Sequence, residues 1–528
     1  MTVRHATMLV MLWALALAFC AQVIIDPSAT NILCAIIIAL GTIPVLLYVR
    51  YTAAVDHQPL STLVLLGFCT TTFFGALLAQ SGAGTAVSAS LREPVRTFTT
   101  LVVYELLAVV VHAVYRLFNE PGRPPSLVRR SLERLNLYAT PSVPALWILG
   151  FIGCLSYALP RPDSGGLNAG LASAVGLAFN FLISAPFLIP LYRKIEQTEH
   201  ASSRWMWPGL ASYAFLALLI ALVRNARVIM FVGAATVALA YLLVFLQSRW
   251  TVRSGLFAKL GIAAVGFIAL MGPVSDLATA MAIARAERGK ASGAQMIATT
   301  LHIWQRPYLI QQYRDRQGKA GRYDRYDEFY IANPLFARLV ETKFHDNALY
   351  FADSLTTRSS QEKLTRTSMD FLWSILPTPV LKRLGIHIDK DDLNFSMGDY
   401  LAYLSRGVPL GGRKTGSLFA QGQVVFGALF PFVYVLLCLI LFKWMDLLCA
   451  RATHGMVFPS TLALLSSWQL IHMLAPESLH QACTAIVRGF PTEIAVYTLV
   501  LWVAHLLTGR SATLPRKIAL ESAGASAS

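Results

Sequence analysis

The chain has 528 residues, 44 Lys+Arg against 28 Asp+Glu, 55% hydrophobic residues and a mean hydropathy of +0.56. Only 14% of its residues are charged, against ~25% in a soluble chain. These values exclude a disordered chain, a coiled coil and an ordinary soluble enzyme, and they define a polytopic membrane protein. The net charge of +16 is read by membrane side rather than as a nucleic-acid footprint, and no nucleic-acid partner is expected.

The chain opens with Arg4 and an apolar run to Ile25. This resembles a signal peptide, and Leu17-Ala18-Phe19-Cys20 resembles a lipoprotein cleavage box. Phe19 is too large for the position before the cysteine, so the run is expected to stay as the first span. A bilayer core of ~30 Å takes about 20 helical residues. Windows of that kind fall at 7–25, 31–49, 60–80, 97–117, 143–160, 168–192, 207–224, 227–246, 256–275, 418–442, 457–475 and 486–508. The fold class is therefore all-α and polytopic, with about 12 spans. Pro186 and Pro190 predict a kink near the end of the sixth. The stretch 207–246 is too long for one crossing and must turn at its only polar site, Arg224-Asn225-Ala226-Arg227.

With both ends on the cytoplasmic side, the short inner segments hold 18 Lys+Arg and the short outer ones 6. This positive-inside split sets the orientation. The basic inner loop 118–142 reads as a surface linker against anionic lipid. The organisation is then membrane helices over 1–275, an extracytoplasmic loop domain over 276–417, membrane helices over 418–508 and a disordered tail over 509–528. The outer loop is too long for a connector. Phe336, Val340 and Phe344, with Leu339 beside them, then Ala348, Phe351 and Leu355, form a helical stripe, so a small helical domain resting on the membrane is expected. Five of the seven cysteines, Cys20, Cys34, Cys69, Cys154 and Cys438, sit in apolar runs. None pairs in a CxxC spacing, and no disulfide framework or metal site is indicated.

Several groups bear on chemistry. Arg224 and Arg227 share a face at the outer end of two apolar helices, where unpaired charge is expensive. Their planar forks suit diphosphate oxygens. The stretch Ser405–Ser417 holds four glycines and the cations Arg406, Arg413 and Lys414 just before a helix, a pattern suited to anions. Its glycine spacing is not that of a P-loop. Arg488 precedes the last span, and Glu105 is a mid-membrane acid with an expected structural role. His302, His345 and His387 lie in the outer loop, where each could serve as a general base. Asp389-Lys390-Asp391-Asp392 lacks calcium-loop spacing and reads as a solvated turn.

The whole architecture resembles the O-antigen and exopolysaccharide repeat-unit polymerases and, more distantly, the O-antigen ligases. The resembling stretches are Arg224–Arg227 opening into Val228-Ile229-Met230-Phe231, then Ile375-Leu376-Pro377-Thr378-Pro379, Lys390 and Gly398-Asp399-Tyr400. Thr415-Gly416-Ser417 before Gln421-Gly422 and Phe426-Gly427, and Arg488-Gly489, complete the set. Gln421 stands where that family often has a carboxylate. The resemblance implies a bacterial inner-membrane enzyme that needs no cofactor, neither nucleotide nor metal. It would move a growing glycan from undecaprenyl diphosphate to a sugar hydroxyl of a new lipid-linked repeat unit. Arg227, Arg224, Arg413 and His345 would be catalytic, and Arg406, Lys414, Arg488 and Asp399 would bind substrate. Partners would be the lipid-linked oligosaccharide and, in the same membrane, a chain-length regulator and a flippase. Two other readings stay open: an O-antigen ligase, with the same chemistry and a different acceptor, and a transporter or lipid-linked oligosaccharide flippase.

Overall fold

The computed structural model describes residues 2–119, 126–159, 176–195, 204–247, 266, 272–287, 292–319, 337, 340–412, 414–451 and 457–509. Its helices are α1 Val3–Ile25, α2 Ala29–Tyr51, α3 Pro59–Gly82, α4 Pro94–Phe118, α5 Leu127–Arg134, α6 Val143–Ser156, α7 Gly176–Arg193, α8 Met206–Arg224 and α9 Arg227–Gln247. There follow α10 Gly293–Trp304, α11 Pro307–Lys319, α12 Thr342–Asp353, α13 Arg358–Ser374, α14 Met397–Arg406, α15 Leu418–Leu447 and α16 Leu479–Thr508. Among the described residues, the sheet is one antiparallel pair, β1 Cys449–Arg451 with β2 Val457–Pro459. The chain is an all-α multi-pass membrane protein. Nine described helices are long and apolar enough to cross a bilayer: α1–α4, α7, α8, most of α9, α15 and α16.

Local chemistry sets the helix ends. Thr2, Ser28 and Ser142 cap α1, α2 and α6 through their side-chain oxygens, satisfying first-turn N–H groups. Pro59 and Pro94 open α3 and α4 at positions where no N–H is needed. Asn225 ends α8 in the left-handed region, φ 45°, so the turn expected at 224–227 is where the chain reverses.

Three of the 12 expected windows are not matched by a long described helix. The window 143–160 is a helix of only 14 residues, α6. The window 256–275 lies largely outside the described residues. The window 457–475 is not a continuous helix: after β2 come two short helices, Thr461–Leu465 and Ser467–Leu470, and then turns. This interrupted segment still runs the length of α15. Ser460 N donates to Leu448 O (2.9 Å) at one end, and Pro476 O accepts from Leu418 N (3.0 Å) at the other. Residues 460–467 are buried. Apolar composition made the window look like a span. Burial against protein rather than lipid lets the backbone break. In the sixth window the prolines give a 3-10 stretch, Asn180–Leu188 with Pro186 inside, rather than a simple kink.

Polar contacts sort the helix ends into two sets. At one end Arg4 pairs with Asp56 (2.8 Å), Gln247 donates to Val457 O (2.6 Å) and Tyr115 donates to Asp446 (2.7 Å). At the other, Gln22 accepts from Val87 N (2.8 Å) and donates to Thr85 O (3.1 Å). The stretch 340–421 lies at this second end.

The basic loop 118–142 departs from the surface-linker expectation. Its helix α5 buries Arg129 under the end of α15. Arg129 donates to Cys449 O (2.7 Å) and Asp446 O and stacks on Tyr138 at 5.6 Å. It caps carbonyls that the helix end leaves without partners.

Val340, Phe344, Ala348, Phe351 and Leu355 are buried as the stripe predicts, while Phe336 and Leu339 lie outside the described residues. All but Phe344 pack in one core with Phe68, Phe98 and Phe419 of the membrane helices. This stretch of the loop is therefore set into the helical body. All seven cysteines are free.

Candidate functional site

The site is built around α12, and α3 is what holds it. In α3, Thr70–Phe74 is a π-helical turn. Thr70, Thr71 and Thr72 each return their hydroxyl to a carbonyl one turn back, on Leu66 (2.7 Å), Gly67 (2.9 Å) and Phe68 (2.6 Å). A widened turn leaves carbonyls without ladder partners. Two of them take the entry to α12: Glu341 N donates to Thr71 O (2.7 Å), and the Thr342 hydroxyl donates to Thr72 O. Thr71 is eleven residues before the end of α3 at Gly82. At 1.5 Å per residue this places the start of α12 about 16 Å below that end.

The first turns of α12 are polar yet buried. Lys343 and Asp346 are fully buried and pair at 3.4 Å. Asp346 also accepts from Arg92 N (2.8 Å), Glu93 N (2.9 Å) and the Thr97 hydroxyl (3.1 Å). The carboxylate thus sits on the N-terminus of α4, where N–H groups and the helix dipole favour an anion. Lys343 adds a bond to Ser90 O.

His345 faces the other way. Its Nδ1 is 2.8 Å from the Ser417 hydroxyl, its ring lies 5.5 Å from Phe419, and it is 2% exposed. Nε2 is buried with no hydrogen-bond partner. Burial lowers its pKa to about 4, with Glu341 acting in the opposite sense. The imidazole is therefore neutral at pH 7, with one nitrogen fixed and the other available. Glu341 Oε1 lies 3.4 Å from His472 Nδ1 on the interrupted segment, an ion-pair distance.

The basic residues frame this helix. Arg406, the last residue of α14, donates to the Tyr350 hydroxyl (3.1 Å) and lies 5.2 Å from that ring. Arg92 lies 4.5 Å from the same ring. Asp399 accepts from Lys414 N (3.1 Å) and is 3.5 Å from Lys414 Nζ. Gly398 makes this possible, since a Cβ there would meet Lys414 O at 2.3 Å. Gly407 and Gly411 take positive φ, 68° and 98°, in the following loop.

The expected site residues therefore fall into groups. Arg406, Lys414 and Asp399 stand beside α12, which carries His345. Arg488 sits in a second π-helical turn, Ala485–Gly489, at the head of α16. There, after burial, its charge helps push the Lys390 ammonium down, and Lys390 donates to Leu376 O (2.7 Å). Arg224 donates to Leu159 O (2.8 Å). None of the described contacts joins Arg224 or Arg227 to the α12 group. Arg413 lies outside the described residues. His302 and His387 are exposed, and Asp389–Asp392 is an exposed turn closed by Asp391 N to Asp389 Oδ1 (2.9 Å). Gln421 bridges Ser368 (2.8 Å) and Leu479 N (2.8 Å), a structural use.

Sequence reading missed Glu341, His472 and Arg92, and gave Ser417 as the end of a glycine-rich stretch without its histidine partner. The run Thr70-Thr71-Thr72 in the middle of an apolar span was the available signal for the docking turn. With the geometry in place, comparison with known proteins adds nothing further: no protein-family model, no curated protein and no solved structure matches this chain.

Proposed function

We propose that this chain is a bacterial inner-membrane glycosyltransferase of the polysaccharide-polymerase kind, acting on undecaprenyl-diphosphate-linked repeat units at the outer face. The observation that carries the reading is α12 itself. A neutral histidine with a buried nitrogen that has no hydrogen-bond partner sits on α12, and Arg92 and Arg406 lie against Tyr350 further along the same helix.

In this reading the acceptor sugar hydroxyl donates to His345 Nε2, and Ser417 holds Nδ1. The hydroxyl oxygen bonds to the anomeric carbon of the donor glycan while the bond from that carbon to the diphosphate breaks. The proton goes to His345 and the electron pair leaves on the diphosphate. Guanidiniums placed in advance at the leaving oxygens stabilise that charge. Arg224, Arg227, Arg413 and Arg488 are assigned this work, and Arg406, Lys414 and Asp399 order the substrate. A flippase would deliver the units and a chain-length regulator would end growth.

The buried loop histidine favours a second reading, an O-antigen ligase, in which the acceptor is lipid A core. Deletion followed by glycan sizing separates the two. Loss of polymerase leaves single repeat units; loss of ligase accumulates lipid-linked polymer. Arg227→Lys should abolish product at normal protein levels, because removing one donor to a developing oxyanion costs ~10²–10³ in rate and Lys cannot reproduce a bidentate fork. Normal chain lengths in Arg227→Lys would remove the arginine turn from the site.

A further inference from the structure

Glu341 is the group that two histidines share. It stands one helical turn before His345, whose backbone N donates to Glu341 O (3.3 Å), and its carboxylate faces His472 at 3.4 Å. Four separate elements bring these groups together: the π-helical turn of α3 fixes Glu341 N, α12 carries His345, the start of α15 supplies Ser417, and the interrupted segment supplies His472. The side chains of Glu341 and His472 are 25% and 19% exposed, against 2% for the whole His345 residue. The cluster is therefore closed at His345 and open at the Glu341–His472 side. Trp468 packs edge-on against His472 at 5.3 Å, fixing its ring.

We propose that Glu341 is the positioning carboxylate for proton uptake by His345, and that His472 sets how much of its charge His345 feels. When His345 Nε2 takes a proton from a ligand hydroxyl, the new imidazolium lies within the field of the Glu341 carboxylate, which stabilises it. When His472 carries a second proton it pairs with Glu341 and withdraws that support. When His472 is neutral the support returns. The ligand class is a hydroxyl compound; that it is a sugar alcohol rests on the glycosyl-transfer reading above.

Other ionisable groups on the packed elements are balanced against one another. Lys343 pairs with Asp346 on α12, Asp346 caps α4 beside Arg92 and Glu93, and Lys414 pairs with Asp399. Glu477 adds its charge at His472. Ser417 and the α3 threonines carry none.

The test is a proton titration of the full-length protein in lipid nanodiscs. Histidine is ¹³C-labelled, the ring signals are followed by NMR, and the two signals are assigned by loss in His345→Gln and His472→Gln. In His472→Gln the His345 midpoint should rise by about one pH unit or more, since an opposite charge within ~4–6 Å moves a pKa by that amount. In Glu341→Gln the His472 midpoint should fall by a similar amount. Glu341→Asp keeps the charge and should retain most of the coupling, which covers the case in which Glu341→Gln fails to fold. An unmoved His345 midpoint in His472→Gln, or an unmoved His472 midpoint in folded Glu341→Gln, overturns the proposal. A purely structural Glu341 would change melting temperature without moving either midpoint. The titration needs no substrate, so glycans unaltered by gene deletion would sink the transfer reading and leave these shifts standing.

Discussion

The two ends of this molecule treat buried charge differently. At the Arg129 end, the guanidinium is 4% exposed, donates to Cys449 O and Asp446 O, and stacks on Tyr138. Its bonds go to carbonyls left over at the end of α15. At the α12 end, Asp346 is as completely used, with four donors. The adjacent residue, His345, keeps a buried nitrogen without a partner. A buried polar atom without a hydrogen bond costs free energy. The first end uses burial to close a helix. The second leaves one imidazole nitrogen buried and without a hydrogen bond.

The largest test of this contrast removes the hub of the second end. Asp346→Ala leaves Lys343 buried without its carboxylate and strips the cap from α4. Breaking one partner of a buried pair costs roughly 3–5 kcal/mol, so the variant should fail to accumulate in the membrane or should melt far below wild type. Wild-type melting in Asp346→Ala would mean that α12 is not held by this cluster.

Acid titration gives the next effect. His345 has its folded pKa lowered to about 4 from an ordinary value near 6.5. The unfolded chain therefore binds more protons between those values. The neutral form's contribution is full above about pH 6.5 and is lost as pH falls toward 4, on the order of 3 kcal/mol across the window. His345→Gln should flatten that part of the stability–pH curve while product formation is lost at every pH. A curve of unchanged slope in His345→Gln would show that the acid sensitivity arises elsewhere.

Arg129→Ala should have the smallest effect and of a different kind. Hydrogen bonds to charged groups contribute about 1.5–3 kcal/mol each, and exposed neighbours and water will recover part of that. Thermal stability should drop, and activity per folded molecule should stay at the wild-type level. A fall in specific activity with unchanged melting would reverse the assignment of roles between the two ends.

Much was legible in the sequence. Apolar windows of the right length located nine described helices that can cross a bilayer, and the polar run at 224–227 located a tight reversal between two of them. The spacing of Val340, Phe344, Ala348, Phe351 and Leu355 located a buried helical segment, although α12 is buried on every side rather than along the stripe alone. These features depend on local composition and on the 3.6-residue period, which a single strand of text contains. His345, Arg406, Lys414 and Asp399 were also within reach, because histidine, cations and glycines beside a helix start are a local pattern.

Only the tertiary structure decided the rest. Hydropathy cannot tell a helix facing lipid from an interrupted chain facing protein, so 457–475 looked like a span. The same blindness made Arg129 look like a headgroup contact, since its partners are carbonyls more than 300 residues away. That His345 is buried against Ser417 while His302 and His387 are exposed follows from the descent of α12 to Thr71. Glu341 and His472 become a pair only when the π-helical turn of α3 and the interrupted segment meet, at a sequence separation that no local pattern records. Sequence fixes what each segment can bury; the fold decides which polar atoms are left without partners once everything is buried.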